Sequence, residues 1–242
     1  MSNRIYVGTS GWNYDHWKEI FYASGCPKSK WLQFYAERFS SVEVNATFYR
    51  SMQPKTFENW RKITPAGFKW AVKANRYITH IKGLNNVVEP LQRFFCDVSA
   101  LKEKLGPILF QLPPKLVFNE EIFNAFCNCL PKNRHCTIEA RHPSWMGENA
   151  LSNFESHQIA WCISDTAGRY PYLEAVTSNF IYIRLHGSTE LYASNYSEEE
   201  LTKWADKIKR WNKDTYVYFD NDAKGHAPKN ALRLKELLSK TI

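Results

Sequence analysis

Eight short apolar runs recur along the chain, and all but one of the stretches between them have room for a helix. The runs are Ile5–Gly8, Val42–Tyr49, Phe68–Asn75, Pro107–Leu112, Cys136–Arg141, Ala160–Asp165, Phe180–His186 and Tyr216–Asn221. Strands that alternate with helices are expected to be parallel, because each helix carries the chain back across the sheet before the next strand begins. Eight such units close naturally into a barrel. The 242 residues are enough for one such α/β barrel, and no linker or low-complexity tract marks a second domain. The expectation is a single (β/α)8 barrel of the TIM type spanning residues 1–242.

The intervening segments carry helical period and start signals. Trp31, Phe34, Tyr35, Arg38 and Phe39 follow Ser29, a candidate N-cap, and Val87, Leu91, Phe94, Phe95, Val98 and Leu105 trace one face of a long helix. Asn119 can cap a helix bearing Ile122, Phe123 and Phe126. Ser197 with Glu200 three residues on forms a capping box, and Pro228 suits a first helical position. Between Asp165 and Phe180 there is Gly and Pro but no helical stripe, so the β6–β7 connection is expected to be irregular.

Composition narrows the class. Hydrophobic residues at 44% and charged residues at 23% suit a folded soluble chain, and the net charge of +8 is spread without a long block. A diffuse positive surplus suits an anionic small molecule or nucleic acid as partner, but is mostly a solubility device. The six cysteines include no CxxC pair and read as free thiols. No apolar run approaches the ~18 residues of a membrane span and Met1–Val7 has no signal-like core, so no membrane association and a cytoplasmic location are expected.

Strand side chains alternate faces, so residues two apart share a side. Glu43, Asn45 and Thr47 fall opposite Val42, Val44 and Ala46; Thr137, Glu139 and Arg141 fall opposite Ile138 and Ala140. Tyr182, Arg184 and His186 likewise oppose Ile181, Ile183 and Leu185, while Tyr216, Tyr218 and Asp220 oppose Val217 and Phe219. Lys73 and Gln111 join the polar set. Helices cover the outside of a barrel, so this polar set should face the lumen, where a typical barrel places Val, Ile and Leu. The pattern fits an active or binding site at the strand ends. It also fits a buried ionic network that only fixes strand register.

The segments GTSGW (Gly8–Trp12), EVNATFYR (Glu43–Arg50), FKWAVKAN with THIK (Phe68–Asn75, Thr79–Lys82), FQLPP (Phe110–Pro114), IEARHPSW (Ile138–Trp145), YIRLHG (Tyr182–Gly187) and VYFDNDAKGHAPKNA (Val217–Ala231) resemble the motif set of the YecE-like family, domain of unknown function 72. The resemblance runs from the first strand to the last helix and implies a TIM-type fold, with no assigned reaction. The family pattern often reads Phe-Asn-Asn where this chain has Phe219, Asp220 and Asn221, which adds a carboxylate.

From the residues, the candidate catalytic groups are Glu43, Glu139 and His186. The candidate substrate-binding groups are Thr9, Ser10, Trp12, Asn45, Tyr49, Lys73, Gln111, Arg141, Trp145, Asp165, Arg184, Asp220 and Asn221. Glu43 and Glu139 suit proton transfer, while Lys73, Arg141, Arg184 and His186 suit an anion. The leading expectation is an enzyme, hydrolase or lyase, acting by acid–base chemistry on an anionic, phosphate-bearing ligand, nucleotide or nucleic acid included. The alternatives are a metal-independent glycoside hydrolase, for which two carboxylates are needed, and a non-catalytic barrel binding nucleic acid or a metabolite. No motif calls for a cofactor. A metal is not expected, since His80, Glu139, His142, Asp165, His186 and Asp220 have no metal-ligand spacing and sit among Lys and Arg. The rings of Trp12, Tyr14, Trp17, Tyr49, Trp145, Tyr192 and Tyr196 suit a stacking rim; alternatively Trp17, Phe21 and Tyr22 simply close the barrel mouth.

Overall fold

A computed structural model describes residues 3–239. Eight parallel strands form one sheet: β1 (Ile5–Thr9), β2 (Ser41–Val44), β3 (Lys69–Lys73), β4 (Leu105–Gln111), β5 (Cys136–Glu139), β6 (Ala160–Asp165), β7 (Phe180–Leu185) and β8 (Asp214–Phe219). Their spatial order is β1-β8-β7-β6-β5-β4-β3-β2. A parallel bridge between Ser10 and Glu43 joins the two ends. The helices are α1 (Trp31–Ala36), α2 (Ala46–Tyr49), α3 (Pro54–Ile63), α4 (Val88–Val98), α5 (Glu120–Asn128), α6 (Glu148–Ser156), α7 (Glu198–Trp211) and α8 (His226–Ser239). This is the expected barrel, and residues 166–179 indeed connect β6 to β7 without a helix.

Two apolar zones follow from strand alternation. Outward residues such as Val42, Val72, Ile108, Ile138, Ile163, Ile183 and Val217 pack under the helices. The lumen holds Tyr6, Ala71, Leu109, Ala160, Cys162, Phe180, Tyr182, Tyr216 and Tyr218 as a separate cluster. The middle of the lumen is therefore apolar and aromatic, and the Glu43, Glu139 and Arg184 charges lie at its C-terminal end. Below that, rings such as Tyr6 and Tyr216, stacked 4.8 Å apart, plug the barrel.

The seam between β1 and β2 has its own device. The Tyr35 hydroxyl accepts from Thr9 N–H at 2.9 Å and donates to the Ser41 carbonyl at 3.1 Å, bridging backbone groups that have no ladder partner there. A Cβ on Gly8 would stand 2.2 Å from the Ser41 carbonyl oxygen, so only glycine permits this approach.

Local expectations are corrected at four points. The second strand ends at Val44, and Asn45 turns the chain into α2 because β3 supplies no partner beyond the Val44–Val72 pair. The helical stripe stops at Val98, since Lys102 takes a positive φ of 50° and Leu105 belongs to β4, paired with Trp70. Ser29 lies within a 3-10 turn (Lys28–Lys30) and caps nothing. Pro228 is the third residue of α8, not the first. The Asn119 cap and the Ser197–Glu200 capping box are present as read.

Candidate functional site

The C-terminal end of the lumen holds two tiers of polar groups. The lower tier is centred on Arg184, 1% exposed, at the end of β7. Its Nε and Nη2 meet the two Glu43 oxygens at 3.0 and 2.8 Å, and its Nη1 meets Glu139 Oε2 at 2.6 Å. Glu43 also accepts from Ser10 Oγ and from the Tyr182 hydroxyl, each at 2.7 Å, so each of its oxygens receives two hydrogen bonds. Glu139 takes a second guanidinium, Arg141, through Nε and Nη2 at 2.8 Å. Burial would raise the Glu139 carboxyl, but Arg141, Arg184 and Lys73 outweigh it and hold it well below the usual carboxylate range. A carboxylate held ionised and engaged in this way is a poor proton donor.

His186 belongs to this tier. Arg184 can only donate, so the 3.2 Å contact from Nη1 makes His186 Nε2 the acceptor and places the ring proton on Nδ1. That nitrogen lies 2.9 Å from Asp220 Oδ2.

The upper tier is less satisfied. Lys73 ends β3, is 9% exposed, and lies 4.3 Å from the centre of the Phe48 ring supplied by α2. Among the described residues its Nζ makes no hydrogen bond or ion pair. Burial, then the charge of Arg184, lowers the Lys73 amine to about 8 against the pull of Glu139, Glu43 and Asp220. Asp220, with its side chain 21% exposed, offers Oδ2 to Arg184 at 3.3 Å and keeps Oδ1 unbonded among the described residues. Burial opposes its ionisation, but His186, Arg184 and Lys73 outweigh that and lower its pKa below the ordinary value. Arg141 stacks 4.4 Å over the Tyr170 ring, leaving Nη1 without a hydrogen bond among the described residues. His80, carried in by a π-helical turn (Tyr77–Ile81), is lowered to about 4 by burial and then by Lys73, Arg141 and Arg76. Asn45 Oδ1 and Ser164 Oγ are buried with no hydrogen-bond partner among the described residues. Tyr192 packs edge-on to His186 at 5.3 Å.

The expected site residues divide accordingly. Glu43, Glu139, Arg184, His186 and Ser10 meet in the lower tier, with Lys73, Arg141, Asp220 and Asn45 above them. Gln111 is on the lumen face, but its Nε2 is spent on the Leu112 carbonyl. The remaining six candidates lie elsewhere. Thr9 points outward, its hydroxyl bonded to Gly11 and Tyr35 at the seam. Trp12 packs edge-on to Trp60 and Trp70, and Tyr49 is 72% exposed at the end of α2. Trp145 is 2% exposed among Phe118, Phe123 and Phe154, its indole N–H bonded to the Leu116 carbonyl. Asn221 faces α8 and bonds Ser194 and Asn230. Asp165 also faces away from the lumen, where it accepts from Tyr196 at 2.9 Å beside a separate cavity of about 260 Å³.

Tyr170 and Phe48 carry no sequence signal of their role. Tyr170 comes from the helix-free connection, and Phe48 was read within a strand. Of the described cavities, one of about 350 Å³ lies beside the mouth, between α3 and α4, lined by Met52, Asn75, Tyr77 and Arg93. Among the described residues no three His, Cys, Asp or Glu side chains converge to hold a metal ion, and no helix is long and apolar enough to cross a membrane.

The fold and the motifs have counterparts. The UPF0759 protein YunF of Bacillus subtilis (strain 168) is 28% identical over 97% of this chain and 94% of its own. The UPF0759 protein YecE of Escherichia coli (strain K12) is 26% identical over 98% and 94%. The crystal structure of a DUF72 family protein from Thermotoga maritima MSB8 superposes with a TM-score of 0.89 at 29% identity, covering 98% of this chain and all (100%) of that one. The family model for "Protein of unknown function DUF72" matches residues 6–242, and the chain belongs to that family.

Proposed function

We propose that the mouth is the active site of an enzyme that acts on a small anionic molecule by proton transfer. Lys73 and Asp220 handle protons, Arg141 holds the anion, and Glu43 and Glu139 serve to fix Arg184. The observation that carries this reading is the contrast between tiers. The Glu43 oxygens each accept two hydrogen bonds, whereas Lys73, equally at the lumen end and 9% exposed, has no counter-ion within ion-pair distance among the described residues. A buried ammonium without a partner is costly, and such groups concentrate where chemistry needs them.

The carboxylate pair supports a glycoside hydrolase poorly, because such an enzyme needs one protonated acid and both oxygens of Glu43 are engaged by Arg184. Nucleic acid is also less well served. Cations that track a phosphate backbone must be exposed, and Arg141, with its side chain 12% exposed, is not.

Titration of inorganic phosphate by calorimetry tests the reading. Saturable binding that weakens at least about tenfold in Arg141→Met is expected, a loss of ~1.4 kcal/mol or more. Binding unchanged in Arg141→Met and in Lys73→Met would sink it.

A further inference from the structure

We propose that Lys73 is an imine-forming lysine and that the substrate is a small aldehyde or ketone carrying a carboxylate or phosphate. This rests on the reading of the mouth as an anion-taking active site.

A second buried lysine in the same molecule shows what a structural one looks like. Lys104 is 8% exposed, and its Nζ donates to the carbonyls of Arg61 and Thr64. Lys73 is buried to the same degree and donates to nothing among the described residues; its ammonium rests on the face of Phe48. The titratable and charged groups around it are Glu43 from β2, Glu139 from β5 with Arg141 just after it, Arg184 from β7 with His186 just after it, Asp220 after β8 and His80 from its own connection. With its amine lowered to about 8, roughly a tenth of Lys73 is neutral at pH 7, against roughly three in ten thousand for an ordinary lysine. A lysine desolvated beside other cations is a recurrent nucleophile for carbonyl carbon.

The remaining groups suit the step. Arg141 Nη1 is open to the carboxylate or phosphate, and Asp220 Oδ1 is open to a proton. Nζ, having given a proton by way of water to Asp220, attacks the carbonyl carbon. A C–N bond forms, and the carbonyl oxygen takes up protons and leaves as water while the nitrogen lone pair closes the C=N bond. Of the three ammonium protons, two depart in the water and one stays on nitrogen. The iminium carries the same single positive charge as the ammonium, so the lower tier keeps its balance. The iminium then accepts electrons from an adjacent C–C or C–H bond, which is lyase chemistry.

The test uses the full-length wild-type protein, so it does not depend on a variant folding. Pyruvate and, separately, dihydroxyacetone phosphate are added, borohydride is used to reduce any imine, and modified lysines are located by peptide mass spectrometry. An adduct at Lys73 at least tenfold above any other lysine, forming faster as pH rises through about 8 and suppressed by inorganic phosphate, is expected. Labelling of Lys73 no greater than that of exposed Lys55 with both probes overturns the inference. If phosphate binding still depends on Arg141 in that case, only the imine is lost; if it does not, the proposed function falls as well.

Discussion

Lys73 and Glu43 are neighbours on the lumen face with opposite energetic characters. Lys73 is lowered from 10.5 to about 8, so between those values the unfolded chain binds more protons than the folded one, and stability rises with pH across that window. Below pH 8 the folded protein carries the whole cost of a buried ammonium that has no ion-pair partner among the described residues. Lys73→Met should therefore stabilise the protein at pH 7 by up to roughly 3 kcal/mol, with the gain vanishing towards pH 10.5. Urea denaturation at pH 7 and 10.5 measures this, and a destabilised variant at pH 7 would contradict it. Glu43→Gln should behave oppositely. It turns an acceptor of the Arg184 guanidinium into a donor and removes its charge, so a loss of about 3–5 kcal/mol is expected in the same experiment. A loss below about 1 kcal/mol would mean that Arg184 finds its charge balance in Glu139 alone. That the two residues share a face follows from alternation in sequence. That one is saturated and the other is not depends on Tyr182 and Ser10, which reach Glu43 across the lumen and the seam.

At the scale of the element, the irregular parts do most to shape the site. The helix-free connection after β6 brings Tyr170 onto Arg141, and the early end of β2 lets α2 bring Phe48 under Lys73. The first irregularity was legible as Gly and Pro without a helical stripe. The second was hidden, because Val42–Tyr49 keeps a strand-like composition and only the lack of a partner strand ends it. The β1–β2 seam offers a test. Tyr35→Phe leaves the Thr9 amide and the Ser41 carbonyl without their shared hydroxyl, which should cost about 1–3 kcal/mol. Amide hydrogen exchange should speed up at Thr9 while β4–β5 pairs stay protected; uniform change across the sheet would show that the seam is not held locally.

The whole molecule should be sensitive to acid in two stages. His80, lowered to about 4 by burial and nearby cations, is joined by His135, His157 and His226, all lowered from 6.5 with burial as the first cause. Their folded forms bind fewer protons than the unfolded chain, so stability falls as pH drops below about 6.5. Glu139 and Asp220 are depressed below 4.5 and 3.8, so the stability they add above those values is lost as pH falls through their folded values. A denaturation midpoint that declines from pH 6.5 and steepens below 4.5 is expected, with His80→Gln flattening the first stage. A midpoint constant from 6.5 to 4.5 would rule out the histidine stage. By itself the sequence determined the eight parallel units, the break after β6 and the charged side chains that share a face, because strand period and helix caps are local. Only the tertiary structure decided which of those charges are spent on one another. Glu43 and Arg184 are 141 residues apart and meet across the closed lumen, and barrel closure, which no local pattern encodes, leaves Lys73 without a counter-ion among the described residues.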